Sequence, residues 1–392
     1  MLEKSLHRDE GGRISIFMVF ATIALIFLIA LIYNTAEQSI RKIQMQGAAD
    51  AGAVAGGTQA ARDLNDIAAN NEAMADILTI MIVLRSTLQT VEVTEKVLAA
   101  TGIGLPLAAA LRVVIIVLRG VDTALSGTPF GVGWVTMNLL DELNVGIKAL
   151  FPVNAEKITI DYAERNGADR APHGLLFGGE SPVAGLVPFL PVNRGLKEEL
   201  VDQAEETAFQ PFEALDDFVL DFLPVNPANI FKGVIIYNTS NLRGNQVTAV
   251  ISEFLQFVAT GPLEWPNNPP RPMLLTDQPS IDPAGTMEIA ESEADLAEVR
   301  RYLQYLAVAL GKMEKGSRIG GERFLNVAPY ESLTYAEADV YNPTDWSMFE
   351  QNWKVKQAPA VVLNRKFDAI AGKIGLGGAP QAINGLAFVN NH

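Results

Sequence analysis

Residues Ile14 to Tyr33 form an unbroken run of 20 residues without a charge, ISIFMVFATIALIFLIALIY. Only Ser15, Thr22 and Tyr33 carry a polar side-chain group in it. As a helix rising about 1.5 Å per residue, the run is about 30 Å long and matches the hydrocarbon core of a bilayer. Ile14, Phe17, Phe20, Leu25 and Phe27 supply its apolar bulk, and Tyr33 sits where an interfacial aromatic belongs. A fully buried core helix and a secretory signal peptide are the competing readings. A signal peptide has a shorter apolar region, about 7–15 residues, with a small-residue cleavage site behind it. This run instead leads into Asn34-Thr35-Ala36-Glu37, so the reading is an uncleaved anchor. Lys4, Arg8 and Arg13 precede the span, while Arg41 and Lys42 follow it. That bias places residues 1–13 in the cytoplasm as a short lead and sends most of the chain across the membrane.

Behind the anchor, Ala48, Gly52, Gly56 and Ala60 recur every fourth residue. On a helix they form a smooth ridge that lets a neighbouring helix approach closely. Glycine costs roughly 1 kcal/mol in an exposed helix relative to alanine, so a flexible linker is the alternative. The first proline of the chain is Pro106, and its absence before that point favours a helix. If the ridge meets a partner, bulky residues there are expected to disrupt assembly more than the rest of the fold.

The helical pattern continues through Leu64, Ile67, Met74, Leu78, Met81, Leu88 and Val91, at mostly three- and four-residue spacings. Gly102, Gly104 and Pro106 break it. A second apolar run, Leu107 to Leu118, contains Arg112 and is short for a bilayer. It reads as a core helix folded back on the first, an αα-hairpin, with a second membrane pass as the alternative. A third helix is expected over Val135 to Leu150, so residues 34–150 form a helical region.

From about Phe151 prolines become frequent and short β-type runs appear at Ile158-Thr159-Ile160, Gly233 to Tyr237 and Tyr335 to Tyr341. The last alternates small apolar and acidic residues, as a half-buried strand does. Helices are expected over Leu196–Phe209, Val247–Val258 and Ala294–Leu310. Trp265 to Pro272 reads as a Pro-rich surface connector. The expected class is α+β: a long N-terminal anchoring helix and helical hairpin, then one mixed α+β domain over residues 151–392 outside the cytoplasm.

Composition excludes several chemistries. The chain has no cysteine, which removes disulfides, zinc–thiolate sites and thiol nucleophiles. Its histidines are His7, His173 and His392, too few and too dispersed for a multi-histidine metal centre. Asp and Glu outnumber Lys and Arg by 45 to 30, a formal net charge of -15 that argues against a nucleic-acid partner. No G-x-S-x-G, P-loop, HExxH or EF-hand loop is present. His173 falls in Arg170-Ala171-Pro172-His173-Gly174, read as a loop, and the Gly178-Gly179 and Gly377-Gly378 stretches read as turns. Acidic clusters at 198–206, 216–221 and 288–298 read as solvated helix faces, with calcium as the oxygen-ligand alternative. The expectation is a protein without catalytic residues, cofactor or metal.

The sequence Gln46-Gly47-Ala48-Ala49-Asp50-Ala51-Gly52-Ala53-Val54-Ala55-Gly56, placed directly after an anchor led by Gly12-Arg13, resembles the TadE/TadG-like family of tight-adherence (Flp) pilus-assembly proteins. The resemblance covers about the first 70 residues. Near the other end, Ala336-Glu337-Ala338-Asp339-Val340-Tyr341 followed by Trp346 and Trp353 is similar to the A-x-A-x-V-Y strand and W-x-x-x-W-type segment of some long members. Lys354-Val355-Lys356 departs from their arginine-bearing ending. Processed pilins of this kind carry glutamate five residues past the cleavage glycine. Here Phe17 stands five residues after Gly12 and Ile16 five after Gly11. The D-x-S-x-S metal pentapeptide of some TadG-like proteins is absent.

The resemblance implies a structural or assembly component of a Tad-type pilus or related secretion apparatus, held in the bacterial inner membrane with most of the chain periplasmic. Its expected partners are membrane lipid, pilus or secretion-system proteins, and a second copy through self-association of the N-terminal helix. Two alternatives stay open: a subunit of an extracellular type IV-like filament with that helix in its core, and an anchored periplasmic enzyme or binding protein. Because Phe17 occupies the glutamate position, prepilin peptidase is expected to leave Gly12–Arg13 intact. Sequencing the mature N-terminus checks this, and a chain starting at Arg13 would favour the filament subunit.

Overall fold

The computed structural model describes residues 10–100, 105–127, 130–177, 190–213, 227–244, 265, 267–275, 302–312, 331–343 and 347–358. Its dominant element is α1, Glu10–Ala100, a single helix of 91 residues. At about 1.5 Å per residue it is on the order of 140 Å long. Helices α2 (Leu105–Leu125), α3 (Val132–Arg165), α4 (Lys197–Glu213) and α5 (Pro227–Arg243) all pack on it. So do the strands of an antiparallel sheet in the order β1 (Arg170–Phe177), β4 (Tyr302–Lys312), β5 (Glu331–Tyr341), β6 (Lys354–Ala358). A separate pair joins β2 (Val192–Arg194) to β3 (Met273–Leu275). The architecture is mostly helical with two small sheets.

α2 and α3 run successively back along α1. Arg112 bonds Glu95 at 2.7 Å, Arg119 bonds Glu92 at 2.5 Å, and Asp122 reaches Arg85. Further down, Gly133 of α3 lies beside Met81 and Ile77, and Ala163 lies beside Gly52. α2 does fold back as a hairpin partner, but it is not a core helix. Only Ala108, Ile115 and Asp122 of its outer turns are fully buried, at seven-residue intervals, and Val113, Ile116 and Val117 stay exposed. Seven-residue spacing gives a single seam between two helices, and the other side stays exposed.

Two β readings of the sequence give way to helix, and one helix reading gives way to strand. Ile158-Thr159-Ile160 lies within α3, which passes unbroken through residue 151. Gly233 to Tyr237 lies in α5, where Val234 and Ile235 are buried against α1. β-branched residues have low helix propensity, and burial overrides it at both places. Conversely, the described end of the expected helix over Ala294–Leu310 is strand β4, with Leu303, Tyr305 and Ala307 buried alternately. Leucines at 303, 306 and 310 satisfy a helical spacing, but burial follows the period of two. The Arg170–Phe177 segment, His173 included, is strand β1 rather than loop and turn. α4 and β5 match their expected places, and residues 267–272 carry no regular structure. Val247–Val258, the acidic stretches at 216–221 and 288–298, Gly178-Gly179, Gly377-Gly378 and Trp346 lie outside the described residues.

Buried polar groups tie the layers to α1. Arg85, 2% exposed, reaches Asp122 at 3.2 Å and Ser126 at 3.3 Å, while its guanidinium lies 4.0 Å over the Trp265 ring. Trp265 meets Trp134 edge-on at 5.9 Å, and Trp134 donates to the Ser126 carbonyl. Asn71 donates to the carbonyls of Met273 and Met348 and accepts from the Met273 amide. Asn65 and Trp353 exchange a reciprocal pair of bonds at 3.1 and 2.8 Å. Each asparagine thereby supplies backbone-like donors and acceptors to a chain that has no ladder partner there.

Asp63 is only partly satisfied. It accepts from Gln59 at 2.8 Å, but its second oxygen is buried without a partner. Burial pushes its carboxyl up to about 6, against the opposing Gln59 bond. The folded state thus holds the proton more tightly than the unfolded chain. The stability it contributes is full below pH about 4 and is lost as pH rises through about 6. Asp63→Asn is expected to raise stability by about 1–2 kcal/mol at pH 7.5 and to change it little at pH 4. Urea unfolding at both values checks this; an effect independent of pH would contradict it.

Candidate functional site

Two stretches of α1 carry the residues singled out from sequence. The first is the apolar span. Phe17 is 75% exposed, Phe20 66%, Leu25 57%, Phe27 49% and Tyr33 51%. Ile14 lies on the same helix, at the end whose side chains are outside the description. This is the one helix long and apolar enough to cross a membrane among the described residues, and the window that qualifies is 6% buried. A core helix would be covered; this segment is bare. Within it the Thr22 hydroxyl donates to the Met18 carbonyl at 2.8 Å. Just beyond, Thr35 bonds the Leu31 carbonyl and Ser39 the Thr35 carbonyl. These hydroxyls are therefore satisfied inside the helix, as a lipid environment requires.

The second stretch is the small-residue ridge. Met45 is the first hydrophobic residue of α1 that is buried among those described. From there Ala48, Gly52, Gly56 and Ala60 all face the interior. A Cβ on Gly52 would lie 3.2 Å from the Thr159 carbonyl and 3.3 Å from the Ala163 methyl of α3. A Cβ on Gly56 would fall against the Tyr305 ring and the Thr159 hydroxyl. The Tyr305 hydroxyl in turn bonds the Thr159 hydroxyl at 2.6 Å, and burial raises its pKa. On the adjacent side, a Cβ on Gly57 would meet Val355 at 3.3 Å and Ala338 at 3.4 Å.

The sheet answers in kind. Ala48, Ala49 and Ala53 of α1 pack with Ala163, Ala307, Ala336 and Ala338. Methyl against methyl and glycine against carbonyl brings helix and sheet backbones close together. Thr334 of β5 also donates to the Met45 carbonyl at 3.1 Å. The ridge is a packing face, and its neighbours α3 and Tyr305 belong to the same chain. Bulk there was expected to disrupt assembly more than the head; at Gly56 it would meet Tyr305 and Thr159 of the head itself.

Sequence reasoning missed Tyr305, Thr159, Asn65 and Asn71. Each acts as a single residue with no periodic signature. The alternating alanines of β5 were visible, but what they face was not. Trp353 of the carboxy-terminal resemblance is buried in the core beside Leu64 and Ile67.

Residues 12–63 match a family model described as Tad: Putative Flp pilus-assembly TadE/G-like. The match begins at the anchor and ends at Asp63, so it takes in both the bare span and the buried ridge. No curated protein and no solved structure matches the chain.

The ridge geometry yields a paired test. Gly56→Leu is expected to destabilise the head by about 3 kcal/mol or more, as overpacking against an immobile ring does. Gly47 lies nine residues earlier on the same helix, on the exposed side, with nothing within 4 Å of its Cβ position. Gly47→Leu is expected to leave stability unchanged or raise it by up to roughly 1 kcal/mol through helix propensity. Thermal unfolding of both variants checks this, and equal melting points would remove the packing role of Gly56.

Proposed function

With residues 12–63 matching a Tad pilus-assembly family, we propose that this chain is a membrane-anchored structural component of a Tad-type pilus or related secretion apparatus. It works through helix packing and protein contacts rather than catalysis. The observation that carries this reading is the double use of α1. One uninterrupted helix is bare and apolar over Phe17–Tyr33 and becomes the spine of the head from Met45 onward. The stem between them, residues 34–44, is about 16 Å of helix. An enzyme that only needed tethering could use a flexible linker. A rigid helix instead fixes the head's height and tilt relative to the membrane, which an assembly component needs. In this reading the amino-terminal lead is cytoplasmic and the head lies in the periplasm, where pilus or secretion-system proteins meet it.

Anchoring and role are tested together. The full chain is expected to stay with membranes through a carbonate wash. A chain lacking residues 14–33 is expected to be soluble and to unfold at the same temperature, because its core starts at Met45. In the host that encodes it, deletion of the gene is expected to abolish sheared pili, with rescue by the full chain and not by the anchorless one. Release of the intact chain by carbonate would overturn the anchor. Wild-type piliation without the gene would overturn the pilus role.

A further inference from the structure

The side of α2 and α3 turned away from α1 is bare, apolar and almost uncharged. On α2, the buried seam at Ala108, Ile115 and Asp122 leaves Val113, Val114, Ile116 and Val117 outside, 63, 45, 70 and 61% exposed. On α3, Trp134, Met137, Asn144 and Phe151 face inward. Val135, Leu139, Leu143, Leu150 and Val153 lie opposite, 50, 67, 52, 60 and 64% exposed. Gly146 fills the gap in that three- and four-residue series, with open space around its Cβ position. Phe130, 84% exposed, stands at the junction.

Because α2 and α3 follow one another along α1, the two faces form one strip. It runs from Leu107 to Val153, about 60 Å at 1.5 Å per residue. Its side chains expose on the order of 1,000 Å², against roughly 800 Å² per partner in a standard interface. Isolated monomers rarely leave so large an apolar patch open. Between residues 132 and 153 the one exposed charge is Glu142, and Arg194 reaches it at 3.4 Å. Arg112 and Arg119 flank the strip, each bonded to a glutamate of α1.

The strip lies along α1 and so along the axis of the span. A lipid surface, which crosses that axis, does not fit it. The occupant has to be long, helical and upright. A second copy held in the same membrane offers the same strip at the same height. Each copy carries a formal charge of -15, so two copies repel except across a face that lacks charge, and this face lacks it. We propose that the outer face of α2 and α3 is the interface of a parallel homodimer, with its two-fold axis along the strip. The parallel orientation rests on the anchored reading above; the self-association does not need a pilus partner.

The absence of cysteine makes a clean test possible. Val117→Cys, Leu139→Cys and Val153→Cys, each in the full chain and expressed in a host without pilus genes, are oxidised in intact membranes. Each is expected to give a disulfide-linked species of twice the chain mass. Leu196→Cys, equally exposed at 61% but off the strip, is expected to give at least tenfold less. Adding Leu139→Glu to Val153→Cys is expected to cut the dimer at least tenfold with helical content unchanged. Crosslinking at none of the three strip positions in carbonate-resistant chain overturns the dimer. So does an adduct of another mass, which would give the strip to a different protein. Crosslinking at Leu139 alone overturns the parallel arrangement. A dimer here with normal piliation of the gene-deleted native host would refute the pilus role and leave this interface intact.

Discussion

The contact on which the rest depends is the one between Gly52, Gly56 and Gly57 of α1 and the atoms of α3, β4 and β5 opposite them. A helix of ordinary side chains keeps its neighbours 8–10 Å away, axis to axis. Here glycine and alanine remove the spacer, and the Tyr305 ring and the Thr159 carbonyl occupy the space. Four glycines in eleven residues, 47–57, weaken the helix by roughly 1 kcal/mol each in isolation. At Gly52, Gly56 and Gly57, burial against α3 and the sheet offsets that loss, and α1 stays unbroken through its weakest segment.

Continuity of α1 has a mechanical consequence. Every buried cluster among the described residues includes this helix. Leu64, Ile67, Met74, Leu78, Met81 and Ile82 are all fully buried and all belong to it. In the proposed anchored reading, any tilt of the span is therefore a tilt of the head's central beam. The interactions farthest from the span are charge pairs: Arg85 with Asp122, Glu92 with Arg119, Glu95 with Arg112. The first is buried and hydrogen-bonded on several sides, so removing one partner alone would strand a charge in the interior. In the other two the arginines are exposed and the glutamates, Glu92 and Glu95, are buried.

What was legible in the sequence follows period and length. The span, the helical course of α1 and the β5 alternation each repeat over many residues, and each lies where the pattern puts it. Short β-branched runs misled. Val234 and Ile235 have the local chemistry of a strand, but α5 buries them against α1 as part of a helical stripe. Tyr302–Lys312 misled in the opposite way, because leucines at three- and four-residue intervals overlap with every second position. The ridge was legible as a packing face, since small residues every fourth position imply close approach. The identity of its neighbour was not, because Thr159 and Tyr305 lie 103 and 249 residues beyond Gly56. Asn65 and Asn71 show the same limit: one amide can replace a strand's hydrogen bonds without leaving any pattern.

Charge distribution connects the head's inside to its outside. A chain with 45 acidic and 30 basic residues disperses its copies in water. α4 has an acidic first turn with Glu198 and Glu199, and its Asp202 and Glu205 share Arg243. α2 and α3 carry their charges at the edges and towards α1 instead. A long amphipathic helix buried on one face normally presents polar residues on the other. α2 and α3 violate that pattern over their whole shared length, and a violation sustained across two helices and the turn between them is a property of the surface rather than of one residue. The surface runs parallel to α1, so in the proposed anchored reading, where the span holds that beam upright, whatever covers the surface has to be upright too.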